Sequence, residues 1–310
     1  MWTRGRFLDE YVPGLFAVAI DSYKSKRAKS MWQSLATVKT SKKKKEENVE
    51  RSGLGLPVIK GEGGAVTYDT EIGGNKQTWI HKVYALAVRI TEEAIDDNLY
   101  ELGGGGSGDE LKEIFFDLGE SMEENIETKM ARFFNSGTAI TYHGTREATP
   151  LALFANSHVR LDSSTFDNYT TSTDLTYNTF WANLIAAENQ LNHRQYRVQR
   201  KVTKLWVPPQ KERNGREVLF SPDRPDTANR AINAYAQSGR GIKLMSWGYI
   251  TDTDMWVLQT EGDGIIFFWR RKTRFARERD FQTGDMQCKA DQRWSAEIND
   301  ARCFYGNVPA

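Results

Sequence analysis

The sequence predicts an α+β protein arranged around one long helix. Three features carry this: an unbroken amphipathic stretch from Ser107 to Gly137, glycine-punctuated β-prone pieces before it, and interspersed helical and strand-like segments after it. In the long stretch, Leu111, Phe115, Leu118, Met122, Ile126, Met130 and Phe133 recur three or four apart, so they fall on a single stripe. Ser107-Gly108-Asp109-Glu110 reads as a capping box, with acidic residues in the first turn where the helix dipole favours them. Asn135-Ser136-Gly137 supplies the stop. At about 1.5 Å per residue the rod is roughly 40 Å long, well beyond the usual three turns or so. We read it as a spine rather than an ordinary core helix.

With 310 residues, the chain can bury one large core or two smaller ones. Charge is high but balanced, 42 basic residues against 41 acidic, so no global field draws it to nucleic acid or membrane. Nine Trp, 12 Tyr and 15 Phe argue for folded structure with sizeable contact surfaces. Cys288 and Cys303 fit neither a disulfide framework nor a zinc site and read as reduced thiols. No run approaches the roughly 18 apolar residues that a membrane helix needs. Val12 to Ile20 is apolar, but Asp9 and Glu10 precede it and no cleavage site follows, which argues against a signal peptide.

Residues 1–60 carry 13 Lys/Arg against six Asp/Glu and include the run Lys42-Lys43-Lys44-Lys45. Beyond a short helical stretch at Phe16–Tyr23, they read as an extended arm lying across another surface. Val66-Thr67-Tyr68 and Thr78-Trp79-Ile80, joined through Glu71 to Lys76, read as a long hairpin that is marginal in isolation and needs a partner surface. Residues 83–90 alternate as a strand, and Thr91 can cap a short helix through Asn98. Gly103 to Gly108 reads as a hinge into the spine. It lacks the Lys-Ser/Thr ending of a phosphate loop, and Asp109, Glu110 and Glu113 would repel an anion.

After the spine, Phe180, Leu184, Ala187 and Leu191 give a helix within 178–191, and Leu205-Trp206-Val207 is a buried-type strand ended by Pro208-Pro209. Pro225 to Gln237 reads as a second helix, and 242–245, 255–258 and 265–269 as strands. Arg270, Arg271, Lys272, Arg274, Arg277 and Arg279 form a basic tail in which many residues face no acidic neighbour of their own. The spine holds eight acids, Glu120, Glu123 and Glu124 among them, against Lys112, Lys129 and Arg132. Tail and arm are either matched to these acids, within or across subunits, or are plain solvated faces.

Catalytic and cofactor patterns are absent. His81, His143, His158 and His193 are scattered without metal-ligand spacing. No nucleophile elbow or dinucleotide fingerprint appears, and Asp96-Asp97 and Asp252-x-Asp254 read as caps or turn formers. We expect no enzyme activity, no metal and no cofactor.

The order of parts resembles the major capsid proteins of tailed bacteriophages, the Hong Kong 97-like fold. The resemblance rests on the basic arm, the glycine-edged hairpin, Val88-Arg89-Ile90-Thr91-Glu92-Glu93-Ala94-Ile95-Asp96-Asp97-Asn98, the long helix, and Pro150-Leu151 with Leu153-Phe154-Ala155 and His158. It extends to the closing run Thr283-Gly284-Asp285, Arg293-Trp294-Ser295, Asp300-Ala301-Arg302 and Phe304-Tyr305-Gly306-Asn307. It implies an N-terminal arm over 1–60, an extended β-hairpin loop over 61–82, and a peripheral domain over 83–177 with spine helix 108–136. An axial α/β domain over 178–267 and peripheral C-terminal strands over 268–310 complete it. The function implied is a head protein that self-assembles into hexamers and pentamers of an icosahedral shell around double-stranded DNA. The implied partners are copies of itself, a portal, a separate scaffolding protein (no coiled-coil precedes the arm), a decoration protein and packaged DNA held non-specifically. Localisation is then the virion, with assembly in the host cytoplasm and no membrane.

Interface candidates under that resemblance are Tyr68, Ile72, Lys76 and Trp79 of the hairpin and Lys42, Lys43, Lys44 and Lys45 of the arm. Glu120, Glu123 and Glu124 of the spine and Arg270, Arg271 and Arg274 of the tail complete the set. Lys76 is the lysine near the expected hairpin tip, where family members can crosslink. Two alternatives are a cellular encapsulin-like shell of the same fold and a nucleic-acid-binding module resting on Lys42–Lys45 and Arg270–Arg279.

Overall fold

The computed structural model describes residues 12–93, 108–139, 145–146, 152–171, 173–224 and 231–308. In chain order come helices α1 (Val12–Lys29) and α2 (Trp32–Leu35) and strands β1 (Thr37–Thr40), β2 (Lys45–Arg51), β3 (Gly73–Ile80) and β4 (Lys82–Ile90). The spine α3 (Gly108–Asn135) follows, then β5 (Thr145–Arg146), β6 (His158–Val159), β7 (Thr165–Phe166), β8 (Tyr169–Thr171), α4 (Tyr177–Glu188) and β9 (Val202–Val207). The rest is α5 (Glu212–Phe220), α6 (Ala234–Gln237), β10 (Lys243–Ser246), β11 (Trp256–Thr260), β12 (Ile265–Arg279), β13 (Met286–Ile298) and β14 (Phe304–Val308). Two units emerge. One holds the described residues of Met1–Lys44, His81–Met130 and Phe267–Ser295; the other holds those of Lys45–Ile80, Ala131–Ile266 and Ala296–Ala310.

The expected stripe is the buried face of the spine: Phe115, Leu118, Met122, Ile126, Met130 and Phe133 are all buried. The helix stops at Asn135 as expected. The Ser136 and Gly137 amides turn back onto the carbonyls of Arg132 and Phe134, and a Cβ at Gly137 would lie 2.3 Å from the Phe154 ring. Ser107, the glycine run 103–107 and the side chain of Leu111 lie outside the described residues, as do His143, Pro150-Leu151 and the last residues of the expected 91–98 helix.

In the first unit, a four-stranded sheet in the order β1-β12-β13-β4 provides the platform. β4 runs antiparallel to β13, from Met286 opposite Ile90 to Trp294 opposite Lys82. The leader is not a free arm: α1 lies against the spine. Leu15 and Ala19 join Ile90, Phe115, Met286 and Cys288 in one cluster, and Tyr23 joins Leu118, Met122 and Ala290 in another. Gly119 permits this approach, because a Cβ there would sit 2.0 Å from Ser22 Oγ and 2.2 Å from the Ala19 carbonyl. Ser22 Oγ donates to the Phe116 carbonyl at 2.8 Å, and Lys26 reaches Glu120 at 3.4 Å. The physical reason is spacing: Leu15, Ala19 and Tyr23 form a helical apolar stripe that the net positive charge of the first 60 residues conceals. Trp32, Phe267, Trp294 and Tyr84 then stack in sequence, with ring centroids 4.5, 4.9 and 4.7 Å apart.

In the second unit, the five-stranded sheet β10-β9-β11-β14-β8 is covered by α4 and α5. Phe180, Leu184, Val202, Leu205, Val207, Val218, Leu219, Trp256, Leu258 and Tyr305 share its core. Phe134, from the end of the spine, packs edge-on to Trp206, Trp247 and Phe304. Helix α4 begins on a capping box of Thr176 and Thr179 and ends before Leu191, which instead bridges to Arg197. The expected 225–237 helix shrinks to α6, because Asn233 spends its side chain capping Tyr235 and Ala236 while Ile232 bridges to Asp223; residues 225–230 lie outside the described set. Helix α5 was not anticipated. Gly215 breaks its pattern, yet glycine is needed where Leu244 lies 2.7 Å from the Cβ position.

The expected hairpin is replaced. β3 pairs antiparallel with β2, Lys45 opposite Ile80 and Val49 opposite Lys76, and β5 adds on the other edge of β3. Residues 66–68 are not strand; they belong to the long loop 52–72 that joins β2 to β3. The lysine run leads into β2 rather than ending an arm. The basic tail is the outer part of β12, where Arg271 and Arg274 both pair with Asp291 on β13 and Arg279 pairs with Glu92 at 2.7 Å. These three charges are therefore matched by the neighbouring strand and by Glu92 just beyond β4.

Candidate functional site

The loop 52–72 carries a dense row of exposed apolar side chains. Leu54, Leu56, Val58, Ile59, Val66, Tyr68 and Ile72 are exposed, Ile59 at 98 % and Tyr68 at 94 %. A run of apolar residues broken by Gly53, Gly55, Pro57, Gly61, Gly63 and Gly64 has neither strand nor helix periodicity, so it cannot close a core of its own. An exposed apolar row of this kind is a candidate interaction surface.

Its root is held firmly. The Ser52 amide donates to the Ile72 carbonyl at 3.0 Å, and the Ile72 amide donates to Ser52 Oγ at 2.9 Å, tying the two ends together. Arg194 then grips both sides: Nε donates to Ser52 Oγ at 3.3 Å, Nη1 to Asp69 at 3.2 Å and Nη2 to the Thr70 carbonyl at 2.5 Å. Asp69 also accepts from the Gly55 amide at 2.6 Å, and this bond, with Arg194 beside it, holds its carboxyl below the usual range. Arg194 sits in a tight turn where Asn192 Oδ1 accepts from the amides of Arg194 and Tyr196 and Gln195 takes a left-handed φ of 61°. Next to it, His193 Nε2 lies 3.0 Å from Glu50 Oε1 on β2.

The sequence-derived interface candidates separate into groups. Tyr68 and Ile72 lie on the exposed loop. Lys42, Lys43 and Lys44 are exposed just before β2, and Lys45 pairs with Glu47. Lys76 is not at a tip: it lies within β3 and reaches Glu47 at 3.0 Å. Trp79 is a correction, being 1 % exposed, because β3 turns that ring into the interior. Glu123 is another, at 0 % exposure: its Oε1 accepts from the Trp32 indole at 2.5 Å, and burial raises its pKa. Glu124 is exposed and Glu120 pairs with Lys26. Arg270 is partly buried, while Arg271 and Arg274 are committed to Asp291. Sequence reasoning missed Leu54, Leu56, Val58, Ile59 and Arg194; the signal for the loop residues was their lack of period among glycines.

The described histidines bond to neighbouring side chains of the scaffold. His81 lies 2.9 Å from Ser295 Oγ and 3.1 Å from Ser41 Oγ, and His158 lies 3.2 Å from Asn168. No group of metal-binding side chains occurs among the described residues, and no described helix is long and apolar enough to cross a membrane. Both cysteines are free and buried, burial pushing the Cys288 thiol up to about 11 and the Cys303 thiol up to about 12.

Comparison with known proteins bears on the fold and the family. No curated protein matches the chain. Among solved structures, the capsid of the cyanophage P-SCSP1u superposes with a TM-score of 0.56 at 11 % identity, covering 91 % of this chain and 88 % of that one. Microbacterium phage Oxtober96 gives 0.55 at 12 % identity, covering 91 % of each. A virus-like particle from Pyrococcus furiosus gives 0.54 at 8 % identity, covering 96 % of this chain and all of that one. At these identities the likeness establishes the Hong Kong 97-like fold. The family described as phage capsid protein matches residues 77–307, more than half of the sequence, and the chain therefore belongs to the phage capsid protein family.

Proposed function

We propose that this major capsid protein builds an icosahedral head by laying the loop 52–72 on a neighbouring copy. The observation that carries the reading is the row of exposed apolar side chains from Leu54 to Ile72, held out from a root that Ser52 and Arg194 fix. A loop that cannot bury its own apolar face becomes stable when a second subunit covers it. In this reading the 178–267 segment is the axial domain, whose tips gather into hexamers and pentamers. The first unit supplies the peripheral domain, and the shell encloses double-stranded DNA. Assembly takes place in the host cytoplasm with a separate scaffolding protein and a portal, and a decoration protein binds the finished shell. The leader's role changes from the sequence expectation: α1 braces the spine of its own subunit, leaving the loop as the reaching element.

The test replaces residues 54–70 with a short glycine linker, leaving Ser52 and Ile72 to close the root. The expected product is a folded subunit with nearly unchanged melting that makes no closed particles under negative-stain microscopy. Normal particles from this variant would overturn the reading. Double-stranded DNA inside particles recovered from lysed hosts is the expected cargo; an enzyme cargo would point to a cellular compartment instead.

A further inference from the structure

The four-stranded sheet of the first unit has two unlike faces. On β13, Met286, Cys288 and Ala290 pack toward α1 and the spine, and Gln292 donates to the Met122 carbonyl at 2.9 Å. Alternation then sends Gln287, Lys289, Asp291 and Arg293 to the opposite face. On β4, Val88 and Ile90 join the same clusters, so Val83, Ala85, Ala87 and Arg89 turn away from the spine. On β12, Thr273 bonds Gln292 at 2.9 Å and Phe275 packs against Tyr23, which turns Lys272 and Arg274 outward as well. Asp291, the acid among these residues, is buried and paired with both Arg271 and Arg274. Arg89 is answered by Asp285, and Glu278 ends the cationic run of β12 toward the turn.

Lys272 and Lys289 are exposed and have no ion pair or hydrogen bond among the described residues. The register explains their access. Lys289 stands opposite Ala87 and Arg293 opposite Val83, neighbours too short to cover a long cationic side chain. Arg293 places Nε on the His81 carbonyl at 3.3 Å. Along β12 and β13 the outward cations repeat at about 7 and 14 Å, a spread-out row suited to a polymer rather than to one small anion. Lysine is depleted from the cores of protein–protein interfaces, whereas nucleic-acid interfaces are polar and strongly positive. No aromatic residue of β4, β12 or β13 is exposed, so the face offers no ring on which an unpaired base could stack. What remains is contact with the phosphates of a duplex, which positions without reading sequence.

We propose that this outward face of the sheet holds the phosphates of double-stranded DNA, with Lys272 and Lys289 as its main contacts and Arg274 and Arg293 beside them. The proposal rests on the shell reading above and gives the enclosed duplex a place on the subunit. The first test titrates the full chain into a short fluorescein-labelled duplex at several salt concentrations, followed by anisotropy. Lys272→Gln combined with Lys289→Gln should leave melting unchanged and make the slope of log K against log salt shallower by about 1.8, equally for duplexes of different sequence. Lys201→Gln combined with Lys243→Gln removes the same charge from exposed positions of the other unit and should leave the slope as it was. No binding at low salt, an unchanged slope in the first variant, or an equal loss in the second overturns the proposal. In DNA-filled particles, p-benzoylphenylalanine placed at position 289 should crosslink to DNA on illumination. Crosslinks to protein alone overturn the proposal and leave the shell reading standing, because the particles still form. Should the chain yield no particles, the shell reading falls, and the titration still decides whether this face binds DNA.

Discussion

Glu123 illustrates how one residue can read as surface and act as interior. It occupies a helical position next to exposed Glu124, yet it is fully buried, with one oxygen bonded to the Trp32 indole and Oε2 lacking a hydrogen-bond partner. Burial raises its pKa, so the neutral acid is the form the fold prefers. Its stabilising contribution is complete below the ordinary carboxylate pKa and is lost as pH rises through the higher folded value. Glu123→Gln keeps the indole bond and removes the charge. The expected result is a melting temperature close to wild type at low pH and increasingly above it toward neutrality, measured by calorimetry across pH. Gly119→Leu would drive a side chain into Ser22 and the Ala19 carbonyl. It should cost about 1–3 kcal/mol by overpacking and expose α1 to limited proteolysis. Arg194→Ala should leave global melting nearly intact while speeding amide exchange at Gly55 and Thr70, whose N–H groups donate to Asp69.

Among elements, the spine was the most legible. Its period, its stop at Asn135-Ser136-Gly137 and its buried stripe all follow from residue spacing. Ile126→Asp places an unpaired carboxylate at a fully buried position and should cost about 3–5 kcal/mol in chemical denaturation; unchanged stability would mean that the stripe is not interior. Strands β4, β9 and β11 were legible for the same reason, since alternation or a short apolar run identifies a strand locally. Pairing was not. The strand opposite β3 lies across the long loop, and β2, Lys-Glu-Glu-Asn-Val-Glu-Arg, has almost no apolar content to announce it. What holds β2 is the ladder to β3 together with Glu47 to Lys76, Glu50 to His193 and Asn48 to Asn299, all to partners distant in sequence. The reaching loop was glimpsed through Tyr68 and Ile72, but its root could not be, because Arg194 is more than 120 residues further along.

At the scale of the molecule, the apolar loop on its fixed root is the exposed surface on which the shell reading rests, and replacing it tests that reading without touching either core. The buried thiols add a measuring device. Cys288 belongs to the first unit and Cys303 to the second, and both are kept protonated by burial. A thiolate-seeking dye at mildly alkaline pH therefore has nothing to attack until a unit opens. Each cysteine is a stopwatch for its own half of the subunit, and labelling rates in the free chain and in the finished head will report how much each half slows once the wall is complete.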